Sequence, residues 1–214
     1  MAKSTGGNRP RFKESGFFSD VSANNAYNRN NQRSKILSKC HNCSFVARGH
    51  LSPRADFLFE EWQDATFSYI NAVPQFQKFN AGNWALMEEA VRKLASKLKR
   101  NLEVQTGTLD IAKSRDQMLS LAENAKMPVP LFLWKLVFDP LQNKAIVFIS
   151  LNYYARQESL CPEHESSLCE ENSWDFPQRN QFKKGVLYCC SYQSLKTKIK
   201  WMNNYQPSGI LNNI

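Results

Sequence analysis

The sequence predicts an α+β fold in which one long amphipathic helix packs against a mixed or antiparallel sheet. Over residues 80–100, apolar side chains recur at alternating spacings of three and four, which gives a helix one buried stripe. That stripe consists of Trp84, Met87, Val91, Leu94 and Leu98. Two apolar segments, 131–138 and 145–151, flank the turn-forming residues 139–143 and predict an antiparallel hairpin.

The other elements follow from shorter patterns along the chain. Before the helix, local composition predicts a short helix near 25–34, a strand at 45–47 that ends at Gly49, a helix or loop at 55–66, and a strand at 67–73 ended by Pro74. After the helix, we expect strands at 102–107 and 185–191 and a basic helix at 195–203.

The chain length suggests one domain, with two small domains as the alternative. Residues 1–11 are polar and glycine-rich, so we expect a flexible N-terminus there. A single domain is then predicted over 12–205, followed by a C-terminal tail at 206–214.

Charge is distributed unevenly along the chain. The net charge is +9 and the pI is about 9.3. Basic residues dominate 1–48 and 179–200, whereas 158–175 is acidic. Basic patches of this kind favour a polyanionic partner, most simply nucleic acid, although a basic protein without such a partner is the alternative.

The six cysteines permit three disulfides in 15 pairings. Cys40 and Cys43 also form a CxxC motif, which zinc or redox chemistry uses, but no second CxxC or paired histidine follows at finger spacing. We therefore favour disulfides and an oxidising compartment.

Targeting features give a different indication. The first ten residues contain no apolar core of a signal peptide. No apolar segment reaches the roughly 18 residues of a membrane span. Either the protein is intracellular or the chain begins after its natural start, and no membrane partner is expected.

Residues 45–92 contain the groups needed to cut a phosphodiester with one divalent metal. Cleavage requires a base, a cation against the developing charge, and donors that hold the phosphate. His50 suits the base because its ordinary pKa lies near neutrality. Asn80 offers a neutral oxygen to Mg²⁺, and Glu88 can hold the waters of that ion. Arg48 and Arg92 carry forked donors that suit a phosphate.

Each of these residues also has a purely structural explanation. His50 could be a partly buried loop histidine, and Asn80 could cap a helix. Glu88 and Arg92 are four apart and could form a surface pair on the helix. Asn71 could serve a turn before the next strand. The spacing of the whole set is what favours a catalytic site.

That spacing carries a family resemblance. The matching residues are Arg48-Gly49-His50, then Asn71 with Pro74-Gln75, then Asn80-Ala81-Gly82-Asn83-Trp84, and Glu88 with Arg92 on the same helix. Together they resemble the signature of the DNA/RNA non-specific endonuclease family, whose members are ββα-metal or His-Me finger nucleases. The resemblance implies a His-Me finger core with flanking helices.

The resemblance also implies the chemistry of the site. His50 would be the general base and Asn80 the one direct protein ligand of Mg²⁺, with Mn²⁺ as a substitute. Glu88 would bond the waters of the metal, while Arg48, Arg92 and Asn71 would position the phosphate or the site itself. The implied reaction cleaves both DNA and RNA to products with 5′-phosphate ends. Homodimers are common in the family, so a homodimer is a further expectation.

More of the chain, roughly residues 9–200, looks like the arthropod secreted branch. Arg9-Pro10-Arg11-Phe12 is similar to an element that supplies a transition-state arginine, with Arg9 as the first candidate and Arg11 as the second. The expected contacts to nucleic acid are Arg48, Arg92, Arg9, Arg11 and Gln75. The resemblance implies secretion; the mitochondrion or nucleus is the alternative.

Two departures from the family pattern keep a second function open. Ala47 stands where the family has an aspartate before Arg-Gly-His. Strands that precede the Arg9 element in the family are also expected to be missing from this domain. The alternative is therefore a nucleic-acid-binding paralogue with reduced or lost nuclease activity.

Overall fold

The computed structural model describes residues 20–39, 43–122, 126–154 and 159–214. The predicted N-terminal segment 1–11 lies outside this part of the chain. The helices are α1 (Asp20–Ala26), α2 (Arg29–Lys35), α3 (Glu60–Ala65), α4 (Gln77–Phe79), α5 (Ala85–Leu98), α6 (Leu168–Glu171) and α7 (Tyr192–Lys196). The strands are β1 (Val46–His50), β2 (Ala72–Phe76), β3 (Glu103–Ile111), β4 (Lys113–Ser114), β5 (Gln117–Met118), β6 (Pro130–Asp139), β7 (Lys144–Leu151), β8 (Leu187–Cys190) and β9 (Gly209–Ile210).

The main sheet confirms the α+β prediction and the central hairpin. Its strands lie in the order β3-β6-β7-β8 with antiparallel neighbours, and β9 pairs with β7 in parallel. The sheet is therefore mixed. β6 and β7 bury side chains on both faces, which explains their continuous apolar sequence.

Helix α5 covers one face of this sheet. The predicted stripe is buried at Trp84, Met87, Val91 and Leu94, with Leu98 partly buried beside it. These side chains pack in one cluster with sheet residues that include Leu133 and Val137. Alternate residues of the same strands face α7 on the opposite side. The two-sided core fixes the position of α5, and with it the polar residues on its outer side.

Strands β1 and β2 form a separate two-stranded ribbon, and Val73 of β2 packs against the cluster that contains the α5 stripe. The predicted strand at 67–73 is wrong: Tyr69–Asn71 form a 3₁₀ turn, and β2 then runs through Pro74 to Phe76. The reason lies far along the chain. The buried Asn152 side chain accepts from the Phe76 N–H at 3.0 Å and donates to the Pro74 carbonyl at 3.0 Å, so it takes the place of a neighbouring strand.

The C-terminal residues belong to the same sheet. Residues 209–210 form β9, and the Leu211 N–H donates to the Ala145 carbonyl at 3.0 Å. Leu211 is buried, and its own carbonyl accepts from the Trp174 indole at 2.8 Å. These contacts join the segment 206–214, which we expected as a tail, to the folded unit. The predicted basic helix at 195–203 is wrong beyond Lys196: α7 begins earlier, after its N-cap Ser191, and ends at Lys196.

Disulfides connect the 159–170 region to β8. Cys161 pairs with Cys190, and Cys169 pairs with Cys189. Cys43 is disulfide-bonded as well, so it offers no thiolate to zinc. The Cys161 and Cys190 sulfurs lie with Glu165 in one tight group, but sulfurs in a disulfide are not metal-binding thiolates. In the described ranges, no helix has the length and apolarity that a bilayer crossing requires.

Candidate active site

The ribbon of β1 and β2 presents the Arg-Gly-His motif. In its antiparallel register, Arg48 lies opposite Pro74 and His50 opposite Ala72. The predicted strand at 45–47 therefore continues through His50 instead of ending at Gly49. Gly49 is required by close packing, since a Cβ there would lie 2.4 Å from the side-chain oxygen of Gln75.

Arg48 is held by an aromatic and polar pocket. Its guanidinium lies 4.7 Å from the ring centre of Tyr27 and 5.7 Å from that of Tyr69. Its Nε donates to the Tyr69 hydroxyl at 3.1 Å, and Nη2 donates to the Asn24 side-chain oxygen at 2.7 Å. Stacking on rings and forked donation are the features that distinguish arginine from lysine. The contacts fix the direction of this cation beside His50.

His50 is half-buried at the end of β1. Its ring packs edge-on against Phe67, with the ring centres 5.0 Å apart. Burial lowers the pKa of His50, and a hydrogen bond with the Arg48 backbone opposes this only in part. The neutral form is therefore dominant at neutral pH, and neutral imidazole is the form that accepts a proton.

Asn71 ties together the loops on either side of His50. Its side-chain oxygen accepts from the Ser52 N–H at 2.8 Å. Its amide donates to the carbonyls of Ser52 at 2.9 Å and Thr66 at 3.0 Å. The Asn71 carbonyl also accepts from the Leu51 N–H at 2.9 Å. Asn71 thus positions the backbone that follows His50.

Asn80 begins a kinked segment, Asn80–Trp84, between α4 and α5. The kink lies at Gly82, where a Cβ would come within 2.4 Å of the Lys184 carbonyl oxygen. Asn83 is buried and donates to the carbonyls of Gln178 and Gly185, so it holds the kink in place. Asn80 is half-exposed, and its side chain forms no hydrogen bond within the described residues. Its oxygen is available to a ligand.

Glu88 lies on the first turns of α5 in a mostly buried position. Burial raises the pKa of Glu88 to about 7, although the nearby Lys135 ammonium and the Arg92 guanidinium act in the opposite direction. Asp56 adds to the rise. A carboxylate in this environment is incompletely compensated by its protein neighbours and would gain from a further cation.

Lys135 is the cation whose charge lowers the pKa of Glu88 most strongly. It belongs to β6 and is only 2% exposed. Its Nζ donates to the Thr106 hydroxyl at 2.6 Å and lies 3.5 Å from the Leu51 carbonyl. Burial lowers the pKa of Lys135, and the charge of Glu88 opposes that shift. Lys135 therefore links the backbone next to His50 with the carboxylate of α5.

Arg92 lies one turn beyond Glu88 and is not free on the surface. Its Nη1 donates to a carboxylate oxygen of Asp56 at 3.0 Å, and both side chains are about one-third exposed. Asp56 follows His50 by six residues, so this ion pair joins α5 to the segment after β1. The structural alternative was a surface pair between Glu88 and Arg92, but the ion pair that Arg92 forms is with Asp56.

The structure separates the predicted residues into two groups. Arg48, His50 and Asn71 surround the end of the ribbon, and Glu88 and Arg92 approach it from α5 through Lys135 and Asp56. Gln75 is fully buried behind Gly49 and is out of reach of a nucleic acid in this conformation. Arg9 and Arg11 lie outside the described residues.

Sequence reasoning did not assign a role to Lys135 or Asp56. A lysine in the middle of the apolar segment 131–138 was a usable signal, because a charge in a strand that is buried on both faces needs a polar partner. Asp56 offered no comparable signal, since a charged residue in a short turn such as Arg54–Asp56 is common.

The residues present fit a hard divalent cation. Asn80 and Glu88 supply oxygen donors from one helical region, and such donors suit Mg²⁺. The raised pKa of Glu88 indicates that this carboxylate is short of positive charge. The described cysteines are all in disulfides, so no soft thiolate competes for the ion in this part of the chain.

Comparison with known proteins points to one family. A family model described as DNA/RNA non-specific endonuclease matches residues 1–195. A salivary endonuclease of Lutzomyia longipalpis is 44% identical over 51% of this chain and 27% of its own length. A salivary endonuclease of Culex quinquefasciatus is 27% identical over 72% of this chain and 44% of its own length. The salivary protein Tsal2A of Glossina morsitans morsitans is 28% identical over 73% of this chain and 41% of its own length. The matches thus span less than half the length of these relatives.

Proposed function

Because this chain belongs to the DNA/RNA non-specific endonuclease family, we propose that it is a metal-dependent endonuclease that hydrolyses phosphodiester bonds in both DNA and RNA. The observation that supports this most directly is the half-buried His50 at the end of β1, whose lowered pKa favours the proton-accepting form. The next residue, Leu51, contacts Lys135, whose charge acts on Glu88 of α5.

In the proposed reaction, His50 takes a proton from a water molecule that attacks the phosphorus atom. The bond from phosphorus to the 3′ oxygen breaks, and the departing oxygen takes a proton from a second water molecule. One product then carries a 5′-phosphate and the other a 3′-hydroxyl. His50 acts as a general base in this step. The 2′-hydroxyl takes no part, so DNA and RNA are both substrates.

Asn80 would hold a Mg²⁺ ion directly, or Mn²⁺ in its place, and Glu88 would hold it through water. The ion would supply positive charge against the charge that develops on the phosphate oxygens and the leaving oxygen. Glu88 fits this role because burial has left its carboxylate without full compensation.

The arginines would grip the phosphate. Arg48 is oriented by Tyr27, Tyr69 and Asn24, which reduces the entropy that it loses on binding. Arg92 is oriented in the same way by Asp56. We retain Arg9 and Arg11 as further phosphate contacts on the basis of the sequence resemblance. Asn71 positions the loops around His50, and Gln75 is not retained as a contact.

We also propose that the protein is secreted. The relatives are named as salivary proteins, and disulfides persist in oxidising compartments. Immunodetection in extracellular fluid and in cell lysate tests this; protein confined to the lysate would contradict it. The homodimer stays a prediction, which light scattering on the purified protein tests.

The decisive experiment is digestion of plasmid DNA and total RNA by the purified protein. We expect degradation of both with Mg²⁺, none with EDTA, and none by His50→Ala. The His50→Ala variant should still retard DNA in a gel, because the phosphate-binding arginines remain. Degradation that survives in EDTA or in His50→Ala would contradict the proposal.

One observation favours the second candidate, a nucleic-acid-binding protein with weak or no cleavage. Ala47 lies opposite Gln75 in the ribbon, and both polar side-chain atoms of the buried Gln75 have no hydrogen-bond partner among the described residues. A polar residue at position 47 could satisfy that amide. A folded wild-type protein that retards DNA without cutting it would establish this alternative.

A further inference from the structure

Beside the candidate active site, a cleft of about 390 Å³ opens between α5, β3 and the segment that follows His50. We infer that this cleft is a subsite that binds a phosphate group of the nucleic-acid strand next to the bond that is cleaved. The inference rests on the proposed function, since it takes the same substrate, and it adds a second phosphate position to it.

Cations dominate the lining of the cleft. Arg92, Arg100 and Lys135 line it, and Asp56 is the one acidic residue among the described lining residues. Arg100 pairs with Asp139, which is fully buried and does not line the cleft. The surface offered to a ligand is therefore positive, which suits a phosphate.

Lys135 forms the floor of the cleft. It is 2% exposed, and its Nζ contacts the Thr106 hydroxyl at 2.6 Å and the Leu51 carbonyl at 3.5 Å. Thr106 and Leu51 also line the cleft, so the ammonium lies at its inner surface. An ammonium has three N–H donors, and these two contacts are to neutral oxygens. The carboxylates of Glu88 and Asp56 act on it through their charge but form no ion pair with it within the described residues, so an anion in the cleft would add a direct partner.

Arg100 adds a donor that is not in use. Its Nε atom is buried and has no hydrogen-bond partner within the described residues. Burial of an unpaired guanidinium donor is unfavourable, and an anion in the cleft would relieve it. Two of the three cations thus have donor capacity or charge that the protein itself does not satisfy.

The remaining lining has the polar residues Ser52, Asn101 and Thr106 and several apolar side chains that suit the rest of a nucleotide. The apolar side chains include Pro53, Phe57, Leu102 and Val104, the last of which is 43% exposed. A cationic floor with partly apolar walls is the usual character of a site for a small phosphorylated molecule. Because Leu51 follows His50 and Arg92 lies one turn from Glu88, the cleft adjoins the proposed point of cleavage.

The test compares Val104→Asp with Val104→Asn in the full chain. The two variants have nearly the same shape and differ by one negative charge at the cleft. Binding of inorganic phosphate and of a 5′-phosphorylated dinucleotide is measured by calorimetry in EDTA. We expect Val104→Asp to weaken binding of both by about five- to tenfold, as one charge a few Å away should, while Val104→Asn stays within about twofold of wild type.

Two controls define what the result means. Met118→Asp adds the same charge at a half-exposed position on β5 that does not line the cleft, and it should leave binding unchanged. The dinucleotide should bind more tightly than phosphate; equal affinity would overturn the assignment to a nucleic-acid strand. Equal binding by Val104→Asp and Val104→Asn would overturn the subsite itself. Because binding is measured without metal, this outcome is separate from whether the protein cleaves.

Discussion

Arg92 donates to Asp56 at 3.0 Å and thereby joins helix α5 to the segment that follows His50. An ion pair whose side chains are about one-third exposed contributes at most about 1 kcal/mol to stability. Under the proposed function, its value lies in orienting the guanidinium of Arg92 toward the substrate phosphate. Two single variants separate these contributions.

We expect Arg92→Met to lower kcat/KM by about ten- to a hundredfold, because it removes a charged hydrogen bond to the substrate phosphate. Asp56→Asn breaks the same ion pair but leaves the guanidinium, so its loss should be under about threefold. Steady-state cleavage of a short fluorescent oligonucleotide measures both. Equal losses would mean that Arg92 acts only through Asp56.

Replacement by alanine is predicted to change the free energy of unfolding much more at Asn71 than at Asn80. Asn71→Ala removes three side-chain hydrogen bonds to the backbone of Ser52 and Thr66, so we expect a loss of about 1–3 kcal/mol in the free energy of unfolding. Asn80→Ala removes no hydrogen bond within the described residues and should leave that free energy nearly unchanged. Urea denaturation in EDTA measures both values.

In the cleavage assay, the Mg²⁺ requirement should change in the Asn80 variant and not in the Asn71 variant. Asn80→Ala is expected to raise the Mg²⁺ concentration needed for half-maximal activity, since it removes the proposed direct ligand. Asn71→Ala should lower activity without changing the Mg²⁺ requirement. An unchanged requirement in Asn80→Ala would refute the ligand assignment.

Local patterns in the sequence were sufficient for the main sheet and for α5. The stripe of Trp84, Met87, Val91 and Leu94 and the apolar hairpin of β6 and β7 are repeated signals over many residues, and both were predicted correctly. The ribbon was not predicted correctly, because its second strand depends on Asn152, which lies 76 residues from Phe76. No local pattern reveals such a contact.

Some residues of the candidate site could be predicted from the sequence, and others could not. His50, Arg48 and the asparagines are carried by a spaced motif, so sequence alone could propose them. Lys135 interacts with Leu51, Thr106 and Glu88, which belong to three separate segments of the chain. The sequence signals that this lysine needs a polar partner, but the identity of its partners depends on tertiary packing.

Glu88 should make the metal-free protein less stable as pH rises. Its pKa is raised from 4.5 to about 7 in the folded state, so between these values the folded protein holds a proton that the unfolded chain has released. The contribution of this group to stability is therefore highest below about pH 4.5 and is lost as pH rises through 7, by at most about 3.4 kcal/mol at about 1.36 kcal/mol per pKa unit.

Glu88→Gln should remove this part of the pH dependence. The free energy of unfolding in EDTA, measured at several values between pH 5 and pH 8, should fall less steeply in Glu88→Gln than in wild type. Added Mg²⁺ should restore wild-type stability at pH 8 and have a smaller effect on the variant. Parallel pH profiles for the two proteins would contradict the assignment of this shift to Glu88.

Lys135 should control the charge of Glu88 rather than the stability of the sheet. In the native protein, the Lys135 ammonium lowers the pKa of Glu88. The substitution Lys135→Met keeps a side chain of similar shape and removes this charge. We expect the pKa of Glu88 to rise in the variant and the pH profile of cleavage to move to higher pH. Thr106→Val removes only the hydroxyl that Lys135 contacts and should leave that profile in place. NMR titration of ¹³C-labelled glutamate side chains in EDTA reads the pKa directly. If Lys135→Met leaves the Glu88 titration where it is in wild type, the lysine is a packing residue and its charge has no part in the site.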